Sequence, residues 1–152
     1  MIRLVPINAD GNAPGVLPAE AAEVLTSTAA RYQALGFEPP WTGYLAFRGE
    51  RCVGGCGFTA APRENRVEIA WVTFRADPSG AVATQMARTL IRIATAALPG
   101  LAVTARTRPE EDPSTRILQT LGFARTGELP EPGRDSSWEW SLHPQASVRP
   151  SG

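Results

Sequence analysis

Apolar residues along the chain fall into short runs and helical stripes separated by turn-forming clusters. Ile2-Arg3-Leu4-Val5-Pro6-Ile7 reads as a first strand, followed by a Gly/Asn/Pro-rich loop to Pro18, which suits the first turn of a helix. From Ala19 to Leu35, apolar Ala22, Leu25, Ala29, Tyr32 and Leu35 recur at three- and four-residue spacing, and Gly36 stops the run. This helix presents one apolar stripe.

Three strands are predicted next, over Trp41 to Phe47, Cys52 to Thr59 and Arg66 to Phe74. The turns between them are Arg48-Gly49-Glu50-Arg51 and Pro62-Arg63-Glu64-Asn65, so an antiparallel meander is expected. A longer helix is predicted from Ser79 to Leu98, because Met86, Ala87, Leu90, Ile91, Ala94, Ala97 and Leu98 share one face. Leu101 to Arg106 reads as a strand, Pro113 to Leu121 as a short helix closed by Gly122, and Phe123 to Glu128 and Ser136 to Leu142 as two final strands. The order β-α-β-β-β-α-β-α-β-β describes a mixed α/β (α+β) domain with a partly antiparallel sheet, over residues 1–142. The polar, Pro-containing segment 143–152 is expected to be a disordered tail.

Composition narrows the classes. The chain has 152 residues, 43% of them apolar, enough for one core and too few for two ordinary domains. Fifteen basic residues balance fifteen acidic ones without forming a run, which argues against partners held by bulk charge, nucleic acid and anionic membrane alike. No stretch approaches the roughly 20 consecutive apolar residues of a membrane span. Met1-Ile2-Arg3 leads into a strand pattern rather than a signal peptide, so a cytoplasmic location is the default expectation. Cys52 and Cys56 share strand parity and His143 is the sole histidine. No zinc set or disulfide framework follows, and the two thiols are expected to be reduced and partly buried, with no metal bound.

The chemistry concentrates between Val67 and Leu90. A strand carrying Glu68 runs into the turn Arg75-Ala76-Asp77-Pro78-Ser79-Gly80 and then into a helix beginning Ala81-Val82-Ala83-Thr84. A small-residue turn before a helix N-terminus suits phosphate, since unpaired N–H groups and the helix dipole both face the anion. Many such turns hold Ser and Gly for their backbone angles alone.

The strand Val67-Glu68-Ile69-Ala70-Trp71, this turn and the Ala83-Thr84 helix start are joined further on by Pro113-Ser114-Thr115-Arg116-Ile117-Leu118-Gln119-Thr120-Leu121-Gly122-Phe123. In that order the two pieces resemble the GNAT N-acetyltransferases across most of residues 2 to 142, closest to the ribosomal-protein N-terminal acetyltransferase branch. The resemblance implies a mostly antiparallel central sheet flanked by helices, with acetyl-CoA as co-substrate. It also implies direct transfer of the acetyl group to a primary amine. In that family the strand lines the pantetheine arm and the turn holds the CoA pyrophosphate. The cofactor-binding residues implied here are Val72, Thr73, Phe74, Ser79, Gly80, Ala81, Val82, Ala83 and Thr84. Backbone N–H groups near Val72, Thr73 and Phe74 are implied as oxyanion donors.

The match has departures. Where the family loop reads R/Q-x-x-G-x-G/A, this chain has Pro78, Ser79, Gly80, Ala81, Val82 and Ala83. Pro78 has no N–H to offer, and Ala81 adds a methyl where backbone approaches phosphate. Losing one hydrogen bond to a charged group costs about 1.5–3 kcal/mol, roughly ten- to hundredfold in affinity. Glu111 stands where the family often has Asn, and Leu118 where many members carry a tyrosine acid. Two other readings therefore stay open: a non-catalytic acyl-CoA-binding or regulatory domain with an eroded loop, and an α/β interaction module.

An aliphatic amine is protonated at neutral pH, so transfer needs a base, and Glu68 is the candidate. Strand alternation places it opposite Val67, Ile69 and Trp71, with Ala70 and Val72. The plain alternative is a solvated carboxylate or an ion pair with Arg66. Ser114 reads as a helix N-cap that could also hydrogen-bond CoA or serve as the acid. Trp41, Tyr44, Trp138 and Trp140 suit either an acceptor pocket or ordinary packing. The acceptor stays open among a peptide N-terminus, lysine and small amines, and an exposed last strand would allow a homodimer.

Overall fold

The computed structural model describes residues 1–131 and 133–143. Its elements follow the predicted order: β1 (Arg3–Pro6), α1 (Ala21–Leu35), β2 (Gly43–Arg48), β3 (Arg51–Phe58), β4 (Arg66–Thr73), α2 (Ala81–Ala97), β5 (Ala102–Thr107), α3 (Pro113–Thr120), β6 (Ala124–Glu131) and β7 (Arg134–Leu142). The anticipated tail lies, apart from His143, outside the described residues. Among the described residues no helix is long and apolar enough to cross a membrane.

The strands form one sheet in the order β1-β2-β3-β4-β5-β7-β6. β1 to β4 are successive antiparallel neighbours. The α2 crossover makes β5 parallel to β4, and β7 then runs antiparallel to both β5 and β6. The last strand is therefore not the exposed edge that the sequence suggested. β7 is inserted between β5 and β6, where Trp140 is buried and its Nε1 donates to Thr107 Oγ1 at 3.0 Å. The sheet edges are β1 and β6.

Two helices, α1 and α2, start two residues later than the sequence predicts. Before α1, the N–H groups of Ala21 and Ala22 donate to the Pro18 and Ala19 carbonyls, so Pro18 precedes the helix instead of opening it. α2 begins at Ala81, because Gly80 adopts the left-handed region at φ 72°, a geometry that favours glycine.

Each face of the sheet carries its own core. On one, Met86, Leu90 and Ala94 of α2 are fully buried with Val67, Ile69, Phe58 and Val103. On the other, Tyr32 joins Ile7, Leu45, Phe47 and Cys52, with Val24 and Leu25 of α1 packed against them. Burying each large aliphatic side chain contributes about 1.5–3 kcal/mol. The Tyr32 hydroxyl donates to Ile7 O and accepts from the Gly43 N–H, both at 2.9 Å, closing the β1–β2 end. Both helices come close over β3. A Cβ on Gly54 would lie 2.6 Å from Val72 O and 3.1 Å from Met86 Cε, and one on Gly55 2.9 Å from Val24.

A register shift alters the cysteine expectation. Ala46 pairs with Gly54 but Phe47 with Cys52, leaving Val53 as an extra residue. The bulge breaks strand parity, so Cys52 and Cys56 belong to the cores on opposite faces. Both thiols are free and buried, and burial pushes the Cys56 thiol far up.

Candidate active site

The central feature is a fork in the sheet. β4 pairs with β5 only at Arg66↔Ala102, Val67↔Val103 and Glu68↔Thr104, whereas its pairing with β3 continues to Thr73. Past Glu68 the two parallel strands separate. The Thr59 N–H donates to Glu68 O and the Phe74 N–H to Val53 O, both at 3.0 Å. Because an antiparallel ladder uses alternate residues on each side, Ala70 and Val72 also turn their peptide groups to β3. Those of Trp71 and Thr73 point into the fork. Of the donors expected near Val72, Thr73 and Phe74, Thr73 alone is aimed there, and Trp71 joins it. Which alternate set faces the gap depends on the register with β3, and the sequence alone carries no such signal.

Below the fork lies a cleft of about 500 Å³. Trp71, Val72 and Thr73 form its strand side, Asp77 to Gly80 with Ala83 and Thr84 one wall, and Pro113, Ser114, Arg116, Ile117 and Thr120 the other. The structure thus brings together Val72, Thr73, Ser79, Gly80, Ala83, Thr84 and Ser114 from the residues expected at the site. Phe74 and Val82 line instead a neighbouring cavity of about 880 Å³, which Arg48, Arg51 and Arg75 also border. Ala81 borders neither.

Asp77, absent from the sequence-derived site, organises the start of α2. Its Oδ2 accepts from the Val82 N–H at 2.8 Å and its Oδ1 from the Ser79 hydroxyl at 2.9 Å, while its carbonyl accepts from the Gly80 N–H at 2.9 Å. The Ser79 Oγ in turn accepts from the Ala81 N–H at 3.2 Å. The Ala83 N–H has no acceptor among the described residues. The Val82 N–H first, then the Ser79 hydroxyl, and more weakly the Arg48 charge, hold the Asp77 carboxyl below the usual range. An Asp just ahead of Pro-Ser-Gly at a helix start is a capping sequence, and that signal could have revealed it.

Glu68 sits where the strands part, on the sheet face away from α2, beside exposed Ala70 and Val72. Its Oε1 lies 3.6 Å from Arg106 Nε, and its side chain is 28% exposed. The suggested partner Arg66 pairs with Glu139 at 3.0 Å instead. The reason is register: Glu68 lies opposite Thr104, so Arg106, two residues on, shares its face.

At α3 the N-cap is Asp112 rather than Ser114. The Thr115 N–H donates to Asp112 Oδ1 at 3.1 Å, and the Asp112 N–H to Thr115 Oγ1 at 3.0 Å. Ser114 is thereby free of the cap and lies against the cleft. Leu118, at the tyrosine position, is fully buried in the core, and Glu111 Oε1 accepts from the Thr115 hydroxyl at 3.3 Å. The aromatic candidates pack elsewhere. Trp41 stands edge-on to Phe58, Tyr44 donates to Pro40 O at 2.7 Å, and Arg125 stacks on Trp138.

Residues 11–124 match the family model described as the acetyltransferase (GNAT) domain. Among solved structures, a GNAT-family acetyltransferase from Bacillus anthracis matches at 19% identity over 66% of this chain and 65% of that one, TM-score 0.58. Mycobacterium smegmatis RimJ in complex with CoA-disulfide matches at 18% identity over 87% and 64%, TM-score 0.63. RimL, a ribosomal L7/L12 α-N-protein acetyltransferase, matches at 13% identity over 93% and 92%, TM-score 0.68. The chain spans just under two thirds of the length of the first two. At these identities the likeness is one of fold. No curated protein sequence matches significantly.

Proposed function

The chain belongs to the GNAT acetyltransferase family, which uses acetyl-CoA as acetyl donor, and we propose that it acetylates a primary amine at the fork between β4 and β5. The observation that carries this reading is the parting of the strands just after Glu68, which turns the Trp71 and Thr73 peptide groups toward a cleft walled by α2 and α3.

The residues fit an acyl-CoA. An extended pantetheine arm carries amides that the N–H and C=O groups of Trp71 and Thr73 can pair with as a strand would. Ser79, Gly80, Ala83 and Thr84 border the helix start that suits a pyrophosphate, and the Ser114 hydroxyl is a further donor. Acetyl-CoA supplies an activated thioester carbonyl.

Glu68 acts from the opposite sheet face. It takes a proton from the ammonium form of the acceptor, directly or through one water, so that the nitrogen lone pair can attack the carbonyl carbon. A C–N bond forms, the C–S bond breaks, the sulfur leaves as thiolate, and the nitrogen's second proton passes to that sulfur or to solvent as the amide forms. A thiolate is a good enough leaving group to depart without a strong acid, consistent with Leu118 in place of a tyrosine. Negative charge building on the carbonyl oxygen is met by one of the two fork-facing N–H groups, of Trp71 or Thr73, and the other is left to the pantetheine arm.

The test is acetyl-CoA turnover, read as free thiol, with peptide N-termini, lysine and small amines as acceptors. In parallel, thermal unfolding is followed with CoA and acetyl-CoA, since a ligand specific to the native state must raise its apparent stability. Thiol release with one acceptor class and a stabilisation by CoA are expected. The absence of both effects at millimolar ligand would overturn the reading.

A further inference from the structure

The N–H groups that open α2 are largely spoken for. Gly80, Ala81 and Val82 donate to the Asp77 carbonyl, the Ser79 hydroxyl and the Asp77 carboxylate respectively, and Pro78 has no N–H. The carboxylate thus holds an anion's place at a helix start that forms one wall of the cleft. We propose that Asp77 is an internal competitor for the pyrophosphate end of the acyl donor and sets the affinity of this enzyme for CoA. The proposal rests on the acyl-CoA reading above and deepens it.

The physical argument is one of exchange. Val82 borders the neighbouring cavity and Asp77 borders both; since an N–H makes one good hydrogen bond at a time, a phosphate oxygen coming from the cleft reaches the Val82 N–H only after the carboxylate leaves it. If the carboxylate stays, two anions share one helix end and repel. Either way the free state holds an interaction that the bound state loses, and affinity falls by that amount. The displaced side chain has somewhere to go: Asp77 also borders the second cavity, which carries Arg48, Arg51 and Arg75. The competition is confined to one end of the donor. The pantetheine end meets Trp71 and Thr73 on β4, which Asp77 does not engage.

Two variants separate charge from capping. Asp77→Asn keeps an acceptor of equal capping rank and removes the charge, whereas Asp77→Ala removes both. Calorimetric titration with CoA and with pantetheine, which lacks the pyrophosphate, is the measurement. Asp77→Ala is expected to bind CoA about tenfold tighter or more, Asp77→Asn to fall between it and wild type, and pantetheine affinity to stay unchanged in both. If Asp77→Ala is too unstable to titrate, the Asn variant alone decides. Wild type that turns over acetyl-CoA while Asp77→Asn binds CoA no more tightly overturns the role of Asp77 alone. Equal tightening for pantetheine overturns it too, since the effect would then be a general loosening of the cleft. Wild type and variants all failing to bind CoA or use acetyl-CoA would overturn the functional reading and this inference with it.

Discussion

Two carboxylates, Glu68 and Asp77, bracket one strand-to-helix unit and are held in different ways. Glu68 lies 3.6 Å from a guanidinium on the neighbouring strand, in contact with solvent. Asp77 is tied at 2.8 Å to a backbone N–H and at 2.9 Å to a hydroxyl of its own loop. A side-chain ion pair at a partly exposed site is worth little and can be remade around a substrate, which suits the base role proposed for Glu68. A carboxylate fixed to the peptide chain shapes a helix start and blocks whatever else would bind there.

The comparison breaks most decisively at Glu68. Glu68→Gln is expected to lower kcat by about 10²-fold or more while leaving CoA affinity unchanged, the usual scale for a positioned base. The loss should shrink as pH rises toward the amine's own pKa, roughly 10 for a lysine-like acceptor, because the amine then deprotonates unaided. Steady-state rates across pH, with CoA titration alongside, check both parts. Full activity at neutral pH would make Glu68 a strand carboxylate and nothing more.

A smaller effect is expected at the loop. Pro78→Arg with Ala81→Gly supplies a cation and a closer backbone approach, and should tighten CoA by no more than about tenfold, the value of one regained charged hydrogen bond. The Val82 N–H stays committed to Asp77 in that variant, which limits the gain. The added glycine loosens the helix start by up to about 1 kcal/mol, so stability is measured with affinity. A gain larger than that of Asp77→Asn would mean that Pro78 and Ala81, rather than Asp77, weaken the site.

The smallest effect sharpens the contrast with a third carboxylate. Asp112 caps α3 through a reciprocal pair with buried Thr115. Asp112→Ala should cost about 1 kcal/mol of stability, seen in denaturant unfolding, without tightening CoA. An affinity gain there like that of Asp77→Ala would show that loosening any helix start around the cleft has the same result.

The element order was legible because local spacing decides it. The α2 stripe from Met86 to Ala94 has one face to bury, and Gly36 and Gly122 mark ends that few other residues could make. Glu68 was legible as a position through resemblance, and alternation correctly placed it with Ala70 and Val72. Other features depend on contacts between distant parts of the chain. The bulge at Val53 sends Cys52 and Cys56 to opposite faces, and it exists only in the pairing of β3 with β2. β7 enters between β5 and β6 because a fit to both neighbours, not its place in the chain, decides where it pairs. The peptide groups of Trp71 and Thr73, rather than those of Val72 and Phe74, face the fork because β3 claims the alternate set. Side-chain patterns report which face of an element is buried, so the sequence by itself determined the element order and, where no bulge intervenes, the core faces, with the candidate base placed through resemblance. Backbone hydrogen bonds carry no residue label, so register, the fork and the occupation of the α2 start by Asp77 were decided only when the strands and loop came together in the folded chain.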